Sequence, residues 1–81
     1  MSMYAPLRRY LEAQKADSIT LTFAEITDIL GNKLPDSAYK YNAWWANDTN
    51  GRHVHANEWL SAGFKTEGLS LTAEKVTFVR K

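Results

Sequence analysis

Leu21-Thr22-Phe23-Ala24-Glu25-Ile26-Thr27-Asp28-Ile29-Leu30-Gly31 is the stretch on which the fold turns. Thr22 and Glu25 have the spacing of a capping box. The Thr22 hydroxyl can accept from the Glu25 N–H, and the Glu25 carboxylate can accept from the Thr22 N–H. Phe23, Ile26, Ile29 and Leu30 form one apolar stripe at helical spacing. Gly31 stands where a helix commonly ends in a left-handed residue. The stretch predicts a helix over residues 23–30 with both ends encoded locally.

Upstream, Pro6 suits the first turn of a helix, where its missing N–H costs nothing. Tyr4, Leu7, Tyr10 and Leu11 recur at helical spacing, and Arg8 can pair with Glu12. This predicts a helix over about residues 4–15, broken at Asp17-Ser18, then a short strand at Ile19-Thr20-Leu21. Downstream, Asn32-Lys33-Leu34-Pro35 reads as a turn. Pro35 and Asp36 can open a second helix of about residues 36–43. The segment around Ala43-Trp44-Trp45 is open: aromatics favour a strand, while Ala38, Tyr41 and Trp45 also fit a helical stripe. The reading taken is a short helix followed by an extended segment. Asn47-Asp48-Thr49-Asn50-Gly51 is loop-like. Ala56, Trp59 and Leu60 fit a helix of about residues 53–62, with Gly63 at its end. Leu69 with Leu71, and Val76 with Phe78, alternate around a hairpin turn at Thr72-Ala73-Glu74-Lys75. The order predicts an α+β fold: three to four short helices, a short antiparallel sheet and a C-terminal β-hairpin.

With 81 residues, the chain has room for one domain over residues 1–81. It has no cysteine, which excludes disulfides, thiolate metal sites and a cysteine nucleophile. Three Trp, four Tyr and three Phe must then carry the core without a covalent staple. The net charge is +1, and the charges are spread evenly, so any basic face must be assembled by folding. The N-terminal residues lack the pattern of a signal peptide, and no apolar run approaches the ~20 residues of a membrane span. The expectation is a cytoplasmic protein with no membrane partner. No phosphate-binding glycine loop, nucleophile elbow or catalytic triad pattern is present. The expectation is a noncatalytic protein without a cofactor.

The segment from Leu21 to Gly31 resembles the first half of a bacterial helix-turn-helix. A second helix would then enter the major groove and present Ser37, Lys40 and Asn42. Helix, short strand, two helices and a closing hairpin is also similar to winged-helix order. Pro35 stands where a recognition helix normally begins, and the order must absorb an extra helix at residues 53–62. The whole chain also resembles a small bacterial domain family of unknown function. That resemblance rests on Tyr4-Ala5-Pro6-Leu7 with Tyr10-Leu11, Leu21-Thr22-Phe23 with Glu25-Ile26, Leu34-Pro35 with Ser37-Ala38, Ala43-Trp44-Trp45 with Asn47, and Trp59-Leu60 with Ala62-Gly63. Members of that family occur alone or beside nuclease-like modules, which implies nucleic-acid recognition.

Several residues could serve such recognition. Arg8 and Arg9 lie on the exposed side of the first helix, either as a solvated face or as phosphate contacts. Arg52 precedes the last helix and can meet phosphate bidentately. Lys75, at the hairpin tip, sits where a wing touches the backbone, with Arg80 and Lys81 at the chain end. On a strand, adjacent residues point to opposite faces, so Trp44 or Trp45 could be exposed to stack on a base; alternatively both are buried. His53 and His55 could share a metal only if extended; solvated histidines are the plainer expectation. The sequence thus predicts a nucleic-acid-binding domain, most simply for duplex DNA. The competing expectation is a protein-interaction module, such as a phage or plasmid inhibitor or an assembly domain, using exposed aromatics and the hairpin edge, with a homodimer as one form.

Overall fold

The reciprocal cap at Thr22 forms as read. Its hydroxyl accepts from the Glu25 N–H at 3.1 Å, and the Glu25 carboxylate accepts from the Thr22 N–H at 2.8 Å. The computed structural model describes residues 3–47 and 55–81. In chain order its elements are α1 (Ala5–Glu12), β1 (Ser18–Thr22), α2 (Phe23–Leu30), α3 (Asp36–Lys40), a 3₁₀ helix (Asn42–Trp45), α4 (Ala56–Ser61), β2 (Phe64–Ser70) and β3 (Lys75–Arg80). The fold is α+β. Gly31 ends α2 at φ 71°, and its N–H donates to the Thr27 carbonyl.

The sheet is antiparallel in the order β1-β3-β2, so the last strand lies in the middle. Ile19 faces Phe78 and Leu21 faces Val76 across β1 and β3. With Phe64 these side chains point toward the helices, and Leu21, Phe64, Val76 and Phe78 are buried. The opposite face carries Ser18, Thr20, Thr22, Lys65, Lys75 and Thr77, following the period of two along each strand. There the Thr20 and Thr77 hydroxyls lie 2.8 Å apart. Between Glu67 and Ser70, β2 carries an extra residue relative to β3, and Gly68 takes the φ of 60° that this bulge needs. The helical layer packs α1 against α2 and α4, and α4 against β2.

Two expectations are corrected here. The first helix ends at Glu12, not near residue 15. The Arg80 guanidinium donates to the Gln14 and Ala16 carbonyls at 3.1 Å each, which holds that stretch in a non-helical course. The second change concerns residues 42–45, which form a 3₁₀ helix rather than an extended segment. Trp45 Nε1 donates to the Ala38 carbonyl at 2.8 Å and draws the chain back under α3. The last helix begins at Ala56; the expected start at residue 53 lies outside the described residues.

The hairpin turn occupies residues 71–74, one position earlier than read, so Lys75 is the first residue of β3. Glu74 adopts φ 53°, a left-handed conformation that costs an L-residue with a Cβ about 1–2 kcal/mol. Replacing Glu74→Gly is expected to raise stability by about 1 kcal/mol, while Thr22→Ala should lower it by about 1 kcal/mol. Urea titrations of the two variants, read by circular dichroism, check both signs.

Candidate functional site

Phe23 is the point where three elements meet. Its ring lies face to face with Trp45 at 4.8 Å and edge-on to Tyr39 at 5.3 Å. Its N–H donates to the Glu74 carbonyl at 2.8 Å. Tyr39 of α3 and the Glu74 carbonyl of the hairpin turn thus both meet the first residue of α2. Lys40 follows Tyr39 and Lys75 follows Glu74, so each basic residue is next in sequence to a partner of Phe23. Both are exposed. The same end carries the acidic side chains of Glu25, held in the cap, and Glu74. At the other end of α2, Thr27, Asp28, Gly31, Asn32 and Lys33 line a shallow cleft.

Of the other residues expected at a binding site, Asn42 is exposed and Ser37 is half-buried in α3. Arg9 is exposed on α1. Arg8 is partly exposed, with its Nε buried 3.7 Å from Glu58 on α4. Its charge is shared with a carboxylate that is itself 8% exposed. Arg52 and His53 lie outside the described residues. Arg80 is committed internally: it pairs with Asp17 at 3.2 Å and lies over the Phe64 ring.

Of the two expectations for the tryptophans, the buried one holds: Trp44 and Trp45 are both buried, so neither is exposed to stack on a base. A strand would send them to opposite faces; a 3₁₀ helix separates neighbours by about 120°, so both can turn inward. The exposed aromatics of this region are instead Tyr39, which touches Phe23, and, more fully, Tyr41. Sequence reasoning missed Tyr41 because its spacing with Ala38 and Trp45 matches a buried helical stripe. His55 is also buried, against the expectation of a solvated ring. It stacks on Trp44 at 3.9 Å, and its Nε2–H donates to the Trp44 carbonyl at 2.6 Å. Tyr4 meets both rings edge-on. Burial pushes the Tyr4 phenol above its ordinary pKa.

Asn47 ties this aromatic cluster to the sheet. Its Oδ1 accepts from Trp59 Nε1 at 3.0 Å and from the Thr66 N–H at 2.8 Å, and its amide donates to the Thr66 carbonyl at 3.1 Å. The Thr66 hydroxyl donates to the Trp45 carbonyl. The side-chain amide thus stands in for a strand at the edge of β2. The Trp-Trp-x-Asn pattern is therefore a structural lock in this fold. Among the described residues, no three His, Asp or Glu side chains form a metal-binding group, and no helix is long and apolar enough to cross a membrane.

Residues 4–81 match the family described as Domain of unknown function (DUF7662). The chain belongs to this family. No curated protein and no solved structure matches it. The match begins at Tyr4 and so takes in the whole aromatic lock of this DUF7662 domain, from the ring that packs on Trp44 to the strand held by Asn47.

Asn47→Ala leaves the Trp59 and Thr66 N–H groups without their acceptor and is expected to cost about 1–3 kcal/mol. Asn47→Asp keeps the acceptor and should lose less; guanidinium unfolding of both variants measures the difference. The raised Tyr4 pKa gives a pH dependence of known sign. Its contribution is complete below the unfolded pKa of about 10 and is lost as pH rises through the higher folded value. Alkaline loss of stability should therefore be shallower in Tyr4→Phe, measured by urea midpoints across that range.

Proposed function

We propose that this DUF7662 domain is a small noncatalytic nucleic-acid-binding unit of the cytoplasm, with duplex DNA as its ligand. The observation that carries the reading is the joint at Phe23, whose ring touches Tyr39 of α3 and whose N–H bonds the Glu74 carbonyl in the hairpin turn. The element order supports it: α1, β1, α2, α3, β2 and β3, with β1 joined to β3, is the order of a winged helix with α4 inserted. In that arrangement the end of α3 offers Lys40, Tyr41 and Asn42, with Ser37 behind them. Lys75 meets backbone phosphate, and Arg9 adds a further contact; Arg52, expected at the site from the sequence, lies outside the described residues. The buried Trp44 and Trp45 support the framework, and any aromatic contact comes from Tyr41.

Phosphate contacts release condensed counterions, so affinity should fall steeply with salt. Fluorescence anisotropy with a labelled random duplex is expected to show binding at micromolar protein in low salt. The double variant Lys40→Ala, Arg52→Ala should bind more weakly, with the log–log salt slope reduced by about 2 and the thermal midpoint unchanged. Absence of any shift with duplex or single strand under these conditions overturns the reading.

The second reading, a protein-interaction module, is favoured by the exposure of Met3, Tyr39 and Tyr41 together with the near-neutral charge. Recovery of one stoichiometric protein partner, free of nucleic acid, would select it.

A further inference from the structure

The two edges of the sheet are treated differently. Antiparallel ladders bond alternate residues, and the others point their N–H and C=O groups away. The Arg80 N–H donates to the Asp17 carbonyl, and the Phe23 N–H donates to the Glu74 carbonyl. With the observed register, the odd-numbered residues of β1 bond to β3, and Ser18, Thr20 and Thr22 turn their backbone groups outward. On the far side, the corresponding outward groups of Thr66 in β2 are both taken by the Asn47 amide. On β1 the groups of Thr22 are engaged by α2, its N–H by Glu25 and its carbonyl, as the N-cap, by the first turn of the helix. The N–H and C=O of Ser18 and Thr20 are left as an open template. The strand Ser-Ile-Thr-Leu-Thr carries no charge, proline or bulge of the kind that blunts an edge.

We propose that two copies of this domain pair through β1, antiparallel about a two-fold axis at Ile19, to form a continuous sheet. This inference does not rest on nucleic-acid binding. The register follows from the cap. Because the Thr22 N–H is already held, the open groups that form complete pairs are those of Ser18 and Thr20. Setting Ser18 opposite Thr20 of the second copy satisfies all of them with four hydrogen bonds, two on each side of the axis. Ile19, half-buried in the single copy, then faces Ile19 of the second copy on the core side of the sheet. No like charges oppose each other along the strand, and the same segment serves both copies, as a two-fold interface requires. The contact is small, so association is reversible and concentration-dependent.

The absence of cysteine permits a direct test. Opposed residues in a non-hydrogen-bonded antiparallel pair have Cα atoms about 4.5 Å apart, within disulfide range. With oxidised glutathione, Ile19→Cys is expected to give a disulfide-linked dimer. Thr20→Cys, whose side chain faces Ser18 of the second copy and lies on the other side of the sheet, should remain largely monomeric. For the unaltered domain, hydrogen exchange at the Ser18 and Thr20 amides should slow as protein concentration rises. In parallel, the mass from light scattering should rise toward twice the monomer, and Thr20→Pro should abolish both effects. A constant monomer mass, with exchange at these amides independent of concentration, overturns the proposal. So does preferential linkage of Thr20→Cys, or protection of the two amides only when a foreign chain is added.

Discussion

The Phe23 ring is stacked on Trp45, touched edge-on by Tyr39, and carried by a backbone N–H bonded to the hairpin turn. It sits at the first residue of α2, where the strand becomes a helix. The capping box fixes the direction in which α2 leaves the sheet, and the ring fixes where α3 returns. Aromatic pairs contribute about 0.5–1.5 kcal/mol beyond their buried area. Here that contribution falls at the junction between layers, where orientation matters as much as energy. Without a disulfide to staple a chain of this size, such a joint sets the relative position of sheet and helices.

Local features were legible in the sequence. The α2 cap, its left-handed Gly31 end and the order of the final hairpin depend on residues close together in the chain, and the sequence encodes them directly. The departures all involve distant partners. Arg80 ends the helical course of residues 13–16 from 64 and 66 positions away. The 3₁₀ course of Trp44 and Trp45 depends on a carbonyl in α3 and on a threonine in β2. Asn47 looked like the first residue of a loop, because nothing in its neighbourhood announces a bond to Thr66. Of the candidate site, the exposure of Lys40, Asn42 and Lys75 was readable, but the link of α3 and the hairpin turn through Phe23 required the fold.

The charge balance also takes on structure. Arg80 is spent on Asp17 and on two carbonyls, while Arg8 is shared with the buried Glu58. Pairs with a partly exposed cation of this kind add little net stability. These cations belong to the framework. The other described cations, Arg9, Lys15, Lys33, Lys40, Lys65, Lys75 and Lys81, are exposed, and net charge alone does not say which of them a ligand meets.

The packing of the three indoles has an optical consequence. Their ring centres lie 4.6, 6.0 and 6.5 Å apart. Transition dipoles at such separations couple, and the three rings absorb as one chiral chromophore instead of three independent ones. The far-ultraviolet circular dichroism of this small domain therefore contains an exciton contribution that rises and falls with the tertiary packing. A loss of signal on unfolding reports the dismantling of the tryptophan cluster along with the melting of the helices.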